Sequence, residues 1–337
     1  MKKQSCSVSD RKGSTGGQAV VEGVMMKSKD RWALAVRKEN GEIAVESHEY
    51  TTVCQRTFLG KIPVVRGLVN FIETMKLSMD TLTRSTEMLG IEEEPTKFEK
   101  WLEKKFGKSL VAVAGAIGML FGVLLSLGLF VFLPTLIADL LHPLLNMADG
   151  TYASDLVYSL IKGVIRIVIF LVYIYLISLW KEMHRVFQYH GAEHMSIFAH
   201  ESYEELTVEN VRKYKRFHPR CGTSFMVIMM LVGILIMSFV PWSRITDNSL
   251  IRSLISIVFL PLIVGVGYEF IKLAGKHDKN IIIRILSAPG LWVQRLTTKD
   301  PDDSMLEVAI ASLKASLPDV YPSEEKPVES TDKEDAE

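Results

Sequence analysis

Four apolar blocks, at 110–137, 156–180, 224–240 and 250–273, constrain this chain more than any other feature. A helix that crosses a bilayer needs about 20 predominantly apolar residues. The first block carries no charge at all. The second holds Lys162 and Arg166 near its start, where long basic side chains can snorkel toward an interface. The third is at the lower limit of a span, and the fourth contains Glu269 near its end. One such block on its own could be a buried core helix. Four of them, separated by polar connections, predict a membrane protein with four transmembrane helices.

Charge orients the spans. The chain balances 39 basic against 39 acidic residues, so no basic excess points to nucleic acid. The distribution is uneven, however. Lysine and arginine number 19 in residues 1–109, none in 138–155, seven in 181–223 and eight in 274–337; the 241–249 connection has only Arg244. The positive-inside rule then predicts cytoplasmic termini and a cytoplasmic 181–223 connection. Cys6, Cys54 and Cys221 all fall on that side, where disulfides are rare. The first 15 residues are polar, predict a flexible N-terminus and lack the apolar stretch of a secretory signal.

Outside the blocks, the pattern predicts an α+β organisation. Residues 16–109 read as a small cytoplasmic β-sheet with amphipathic helices. Trp32, Leu34 and Val36 alternate with Ala33, Ala35 and Arg37, Asn40-Gly41 suits a tight turn, and Ile43 and Val45 alternate on the return. An earlier strand is predicted over 19–26. After Pro63, apolar residues from Val65 to Leu89 recur at helical spacing and predict a helix that covers the sheet or lies on the membrane. Residues 96–109, with five lysines, read as an interfacial lead-in to the first span. The membrane unit covers 110–273, and a C-terminal cytoplasmic or interfacial helical region covers 274–317. That region is predicted as an apolar stretch over 281–296, broken at Pro289-Gly290, and then a helix capped by Asp302-Asp303-Ser304. An acidic tail at 318–337 has a disordered composition.

The chemistry gathers at His190-Gly191-Ala192-Glu193-His194, just past the second span. Histidines four residues apart share one helix face and can give a divalent metal, zinc above all, two imidazoles with an acid/base beside them. The order His-x-x-Glu-His is also that of the inverted zinc-protease motif, whose third ligand is a downstream glutamate. The predicted topology brings His184, His190 and His194, the His218-Pro219-Arg220-Cys221 turn and Glu269 to one membrane face. Glu269 is the expected third ligand, because a carboxylate within a span is costly unless paired. Cys221 and His218 compete for that place. Glu193 is the candidate general base, and Glu201 lies three turns on from His190 along the same face. Each residue also has a plain structural role open to it: interfacial histidines that only hydrogen-bond, a Glu269 that pairs with Lys272, Lys162 or Arg166, and a turn that starts a helix. The segment 16–26, GGQAVVEGVMM, could bring backbone amides near an anion, or be a turn entering a strand with a bulge at Gly23. Glu22 within it could reach the metal face.

Three stretches are similar to the YqhQ-like family of bacterial membrane proteins, which is defined around a domain of unknown function. They are GGQAVVEGVMM at 16–26, FQYHGAEHMSI at 187–197 followed by FHPRCGTSF at 217–225, and ILSAPGLWVQRLTT at 285–298. The resemblance implies a bacterial plasma-membrane protein. Members carry the label of predicted metal-dependent enzyme, which rests on the histidine motif that falls here on His190, Glu193 and His194. Two functions follow: a metal-dependent hydrolase acting on a lipid-linked or membrane-peptide substrate, or a non-enzymatic partner of a membrane complex such as a translocation or insertion machinery. Few charges within the spans disfavour a transporter.

Overall fold

The computed structural model describes residues 11, 13, 15–90, 108–145, 151–276 and 280–322. Most of the predicted acidic tail, most of the lead-in before the first span and most of the N-terminus predicted as flexible lie outside the described residues. The described chain is mostly helical, with one small four-stranded antiparallel sheet.

The sheet runs in the order β1 (Gly16–Val20), β2 (Gly23–Lys27), β3 (Arg31–Arg37), β4 (Ile43–Glu49). The expected single strand over 19–26 is therefore two strands. Val20 pairs with Gly23 across a two-residue turn at Val21-Glu22. Glu22 adopts φ +49°, a conformation that side chains rarely take, which is why the sequence hid the turn. Gly23 is paired within β2 and is not a bulge. A Cβ there would collide with the Ala35 carbonyl, so the glycine allows β2 and β3 to approach.

Strand alternation sends the two sheet faces into different cores. Val20, Met25, Trp32, Leu34 and Val36 pack on Leu77 of α1 (Val65–Met88). The amphipathic helix thus covers the sheet with one face. Its N-terminal half packs on a helix of the fourth apolar block, where Gly67 meets Tyr268 and Gly265.

Of the four apolar blocks, two form helices long enough to cross a membrane. The first is α2 (Lys108–Leu127), which continues through a π-helical turn at Gly128–Phe132 into α3 (Leu133–Leu141). The second is α4 (Tyr152–Ser178). After an extended residue at Trp180 comes α5 (Lys181–Glu201). The third block is the shorter α6 (Gly222–Ser238). The fourth is a pair bent by 46°, α7 (Ser249–Val258) and α8 (Leu260–Lys276), which makes a third span if taken as one. Of the four transmembrane helices expected, two or three are long and apolar enough to be spans among the described residues, because the third block is short and the fourth is bent. Lys162 does not snorkel; it is buried at 2% exposure.

Two C-terminal helices complete the fold. The first, α9 (Ile281–Thr297), runs unbroken through Pro289, against expectation. Gly290 lets it lie against α6, where a Cβ would come 2.8 Å from Ser224 Cα. The last, α10 (Asp303–Ser316), is capped by Asp302, which accepts from the Met305 N–H. It fills the second core with α5 and the other sheet face: Val24, Met26 and Ala35 meet Tyr189, Ala192, Leu306, Ala309 and Leu313. The small Ala33 and Ala35 permit this closeness, and Ser312 donates to the Ala33 carbonyl. Helix α5, expected as part of a polar connection, is thereby the spine of a packed core.

Candidate metal centre

Helical periodicity places His190 and His194 one turn apart on α5, with ring centroids 4.4 Å apart. Their orientation is set from outside the helix. His190 Nδ1 meets the Thr297 carbonyl at 2.8 Å, and His194 Nδ1 meets the Arg216 carbonyl. Carbonyls only accept, so both Nδ1 atoms are protonated, and Nε2 is the nitrogen each ring can offer a metal once it gives up any proton of its own. This is how metal-ligating histidines are commonly held. Cys221 caps α6 and brings Sγ to 3.1 Å from His190 Nε2. One nitrogen from each histidine and Cys221 Sγ lie within 4.8 Å of one another, a group that could hold a metal ion.

Three buried polar atoms there lack hydrogen-bond partners: His194 Nε2, Glu193 Oε2 and His218 Nε2. Buried polar groups are nearly always satisfied, so three orphans around one thiol mark a place built for something further. Glu193 is 4% exposed and its Oε2 lies 3.9 Å from His190 Nε2. The His218 ring centroid is 5.6 Å from that of His194, and its Nε2 faces Glu201 at 3.8 Å, beyond hydrogen-bond range. The donor set, two imidazoles, a thiol and a neighbouring carboxylate, suits zinc.

Electrostatics follow the geometry. Burial alone would raise the Cys221 thiol, but His190 and His194 outweigh it and hold the thiol well below its usual range. Burial alone would lower His190; Cys221 and Glu193 outweigh it and hold the imidazole at about 9. Burial raises the Glu193 carboxyl against the pull of both histidines. Without metal, the pair is a thiolate beside an imidazolium.

The residues singled out by sequence separate here. His190, His194 and Cys221 converge, with Glu193 and His218 beside them. Glu201 accepts from Arg220 and from the Gly13 N–H instead. His184 is exposed. Glu269 is corrected as third ligand: both its oxygens are taken by Arg66, whose Nε donates at 2.6 Å. Its cost within an apolar helix is met by a cation from α1, none of the partners expected for it.

Several contributors were not anticipated. The Gly17 N–H bonds to Glu193, and a Cβ on Gly17 would crowd Glu193 Cγ at 3.1 Å. Gln294 on α9 accepts from the His218 N–H at 2.7 Å and donates to the His218 carbonyl at 2.6 Å, fixing the turn that carries Cys221. Gly191 lies under the Lys299 carbonyl, where a Cβ would collide. Glu22 reaches Arg185 and Tyr189 on α5, not the metal group. The available signal was the motifs themselves: 16–26, 187–197, 217–225 and 285–298 each supply a wall of the same site.

No solved structure matches the chain. It is 34% identical over 303 residues to the uncharacterized protein YqhQ of Bacillus subtilis (strain 168), covering 90% of this chain and 92% of that protein. Residues 62–319 match the family model described as a protein of unknown function, DUF1385. The chain therefore belongs to the DUF1385 family of YqhQ-like proteins.

Proposed function

We propose that this protein is a multi-pass bacterial plasma-membrane metalloprotein, a zinc-dependent hydrolase working at the cytoplasmic face on a lipid-linked or membrane-peptide substrate. The single observation that supports it most is the three-ligand group His190, His194 and Cys221 with Glu193 Oε2, which has no hydrogen-bond partner, beside it. Three protein ligands leave a position open, as catalytic zinc sites do. A bound zinc would supply Lewis acidity and a water acidified to near neutral pH. Glu193 Oε2 would take up the proton, and burial, which raises its affinity for protons, suits it to that role. Thr297 and Arg216 keep both imidazoles in the ligating tautomer. Arg216, whose carbonyl meets His194, also lines a surface cleft with Met195, Phe217, Asp300 and Pro301. The cytoplasmic placement of the termini and site rests on the lysine and arginine distribution.

The test is metal analysis of protein purified in mild detergent. About one zinc per chain is expected, lost in His190→Ala and His194→Ala. Glu193→Gln should keep the metal and shift the spectrum of the cobalt-substituted protein with loss of a pH-dependent transition. Metal-free native protein, with unchanged stability in both histidine variants, sinks the proposal.

A second function, a partner in a membrane complex, is favoured by the outward face of α1. Val65, Ile72, Met75, Met79 and Leu82 lie on one exposed stripe opposite the sheet. A photo-crosslinker at Met79 should then give one protein adduct that Ile72→Lys abolishes. Lipid adducts alone would assign the stripe to the bilayer.

A further inference from the structure

The apolar helices enclose a second polar cluster, far from the metal group. About 24 Å of helix separates Lys162 from the end of α4 at Ser178. Lys162 and Arg166 stand one turn apart on α4. The Lys162 ammonium donates to Ser256 Oγ on α7 at 3.1 Å and lies 4.2 Å from the Trp242 ring centroid. Arg166 Nε donates to the Phe130 carbonyl at 2.9 Å, within the π-helical turn at Gly128–Phe132. Such turns inside α-helices recur at functional sites.

Among the described residues, neither cation forms an ion pair. The nearby acids are already engaged. Asp139 accepts from Arg252 at 2.5 Å and from Ser249. Asp155 accepts from the Ser243 N–H at 2.9 Å and its hydroxyl at 3.0 Å. Two hydroxyls on the same walls are buried: Ser253 Oγ, one turn from Ser256, has no hydrogen-bond partner, and Tyr158 OH, one turn from Lys162, faces Asp139 and Arg252 without a hydrogen bond of normal geometry to either. Their residues are 3% and 2% exposed. The Tyr158 ring lies between the cations, 5.6 Å from Lys162 Nζ and 4.8 Å from Arg252 Cζ.

Buried cations are costly unless paired, and inside a membrane domain they mark function. One hydroxyl and one aromatic face do not neutralise an ammonium. An anion with several oxygens would neutralise the excess charge and accept from ammonium, guanidinium and both hydroxyls. Guanidinium matches phosphate oxygens in pairs, which favours an oxyanion over a halide. We propose that this cluster binds the phosphate group of an anionic ligand, with Lys162 and Arg166 as its charge partners and Ser253 and Tyr158 as hydroxyl donors. The source is a lipid headgroup or free phosphate. The site is independent of the metal centre.

The test uses the full chain in mild nonionic detergent and phosphate-free buffer. One arm titrates inorganic phosphate by calorimetry; the other titrates phosphatidic acid in mixed micelles and measures phosphorus retained per chain. Saturable binding of about one equivalent is expected in at least one arm, and the responding arm names the source. Lys162→Met with Arg166→Met should weaken it at least tenfold while gel-filtration elution and the thermal unfolding transition stay native, which attests the fold. If that variant misfolds, Ser253→Ala, which keeps every charge, should weaken binding several-fold. Native protein that binds neither probe overturns the proposal. So does binding unchanged in a folded double variant, or unchanged in Ser253→Ala where the double variant misfolds.

Discussion

Two buried polar clusters divide this molecule, and they are opposites. The one on α5 is made of two imidazoles and a thiol, with hydrogen bonds to Thr297 and Arg216 orienting the rings and Gln294 holding the turn that carries the thiol. The one on α4 is made of fixed cations among apolar helices, with Lys162 and Arg166 unmatched by carboxylates among the described residues. The first has spare lone pairs, and the second has spare positive charge. A buried group left short of partners states what it lacks: here a cation at one place and an anion at the other.

The sharpest way to break that comparison is to remove a ligand. Cys221→Ser should take metal content from about one ion per chain to none by elemental analysis, since binding at such sites is worth on the order of 10 kcal/mol. Glu269→Gln should leave metal unchanged, because Arg66 holds both oxygens of that carboxylate.

Next in size is Arg252→Met. It strands Asp139, which is 17% exposed, and should cost about 3–5 kcal/mol in detergent unfolding. If stability is retained, Asp139 does not depend on Arg252 for its charge balance.

Gly191→Ala should cost about 1–3 kcal/mol by overpacking against the Lys299 carbonyl, and should loosen metal binding through the same strand of chain. Thermal unfolding with and without chelator reads both effects.

Metal affinity should rise with pH by about tenfold per unit up to about pH 9. The Cys221 thiol is already ionised, so binding expels one proton, that of His190, held at about 9. A raised folded value means that charged His190 contributes stability to the metal-free protein that is complete below the ordinary histidine range and is lost as pH passes about 9. Competition titrations against a chelator at several pH values measure the slope. Phosphate binding at the α4 cluster should not share it.

The smallest effect belongs to Arg185→Met. It breaks the pair with Glu22, and both side chains are partly exposed, so about 0.5 kcal/mol is expected. A larger loss would show that the strained turn at Glu22 depends on it.

Much of this was legible in the sequence where the signal is local. Strands β3 and β4 follow from alternation between Trp32 and Val36 and between Ile43 and Val45, with Asn40-Gly41 between them. The Asp302 cap of α10 follows from side-chain chemistry. The turn at Val21-Glu22 was hidden because a glutamate with positive φ gives no sign of itself. The unbroken course of α9 through Pro289 was hidden because packing of Gly290 on Ser224 outweighs a local breaker.

By itself, the sequence determined where apolar helices run, that a small antiparallel sheet precedes them, and that His190 and His194 share a helix face. These follow from backbone periodicity, which acts over a few residues. Only the tertiary structure decided that Cys221, not Glu269, joins those histidines, that Gly17, Gln294 and Thr297 wall the site, and that Lys162 is buried and Arg166 half-buried with no ion pair among the described residues. Those outcomes depend on which distant segments cross. Arg66 reaches Glu269 across 203 residues, and no local pattern encodes that choice.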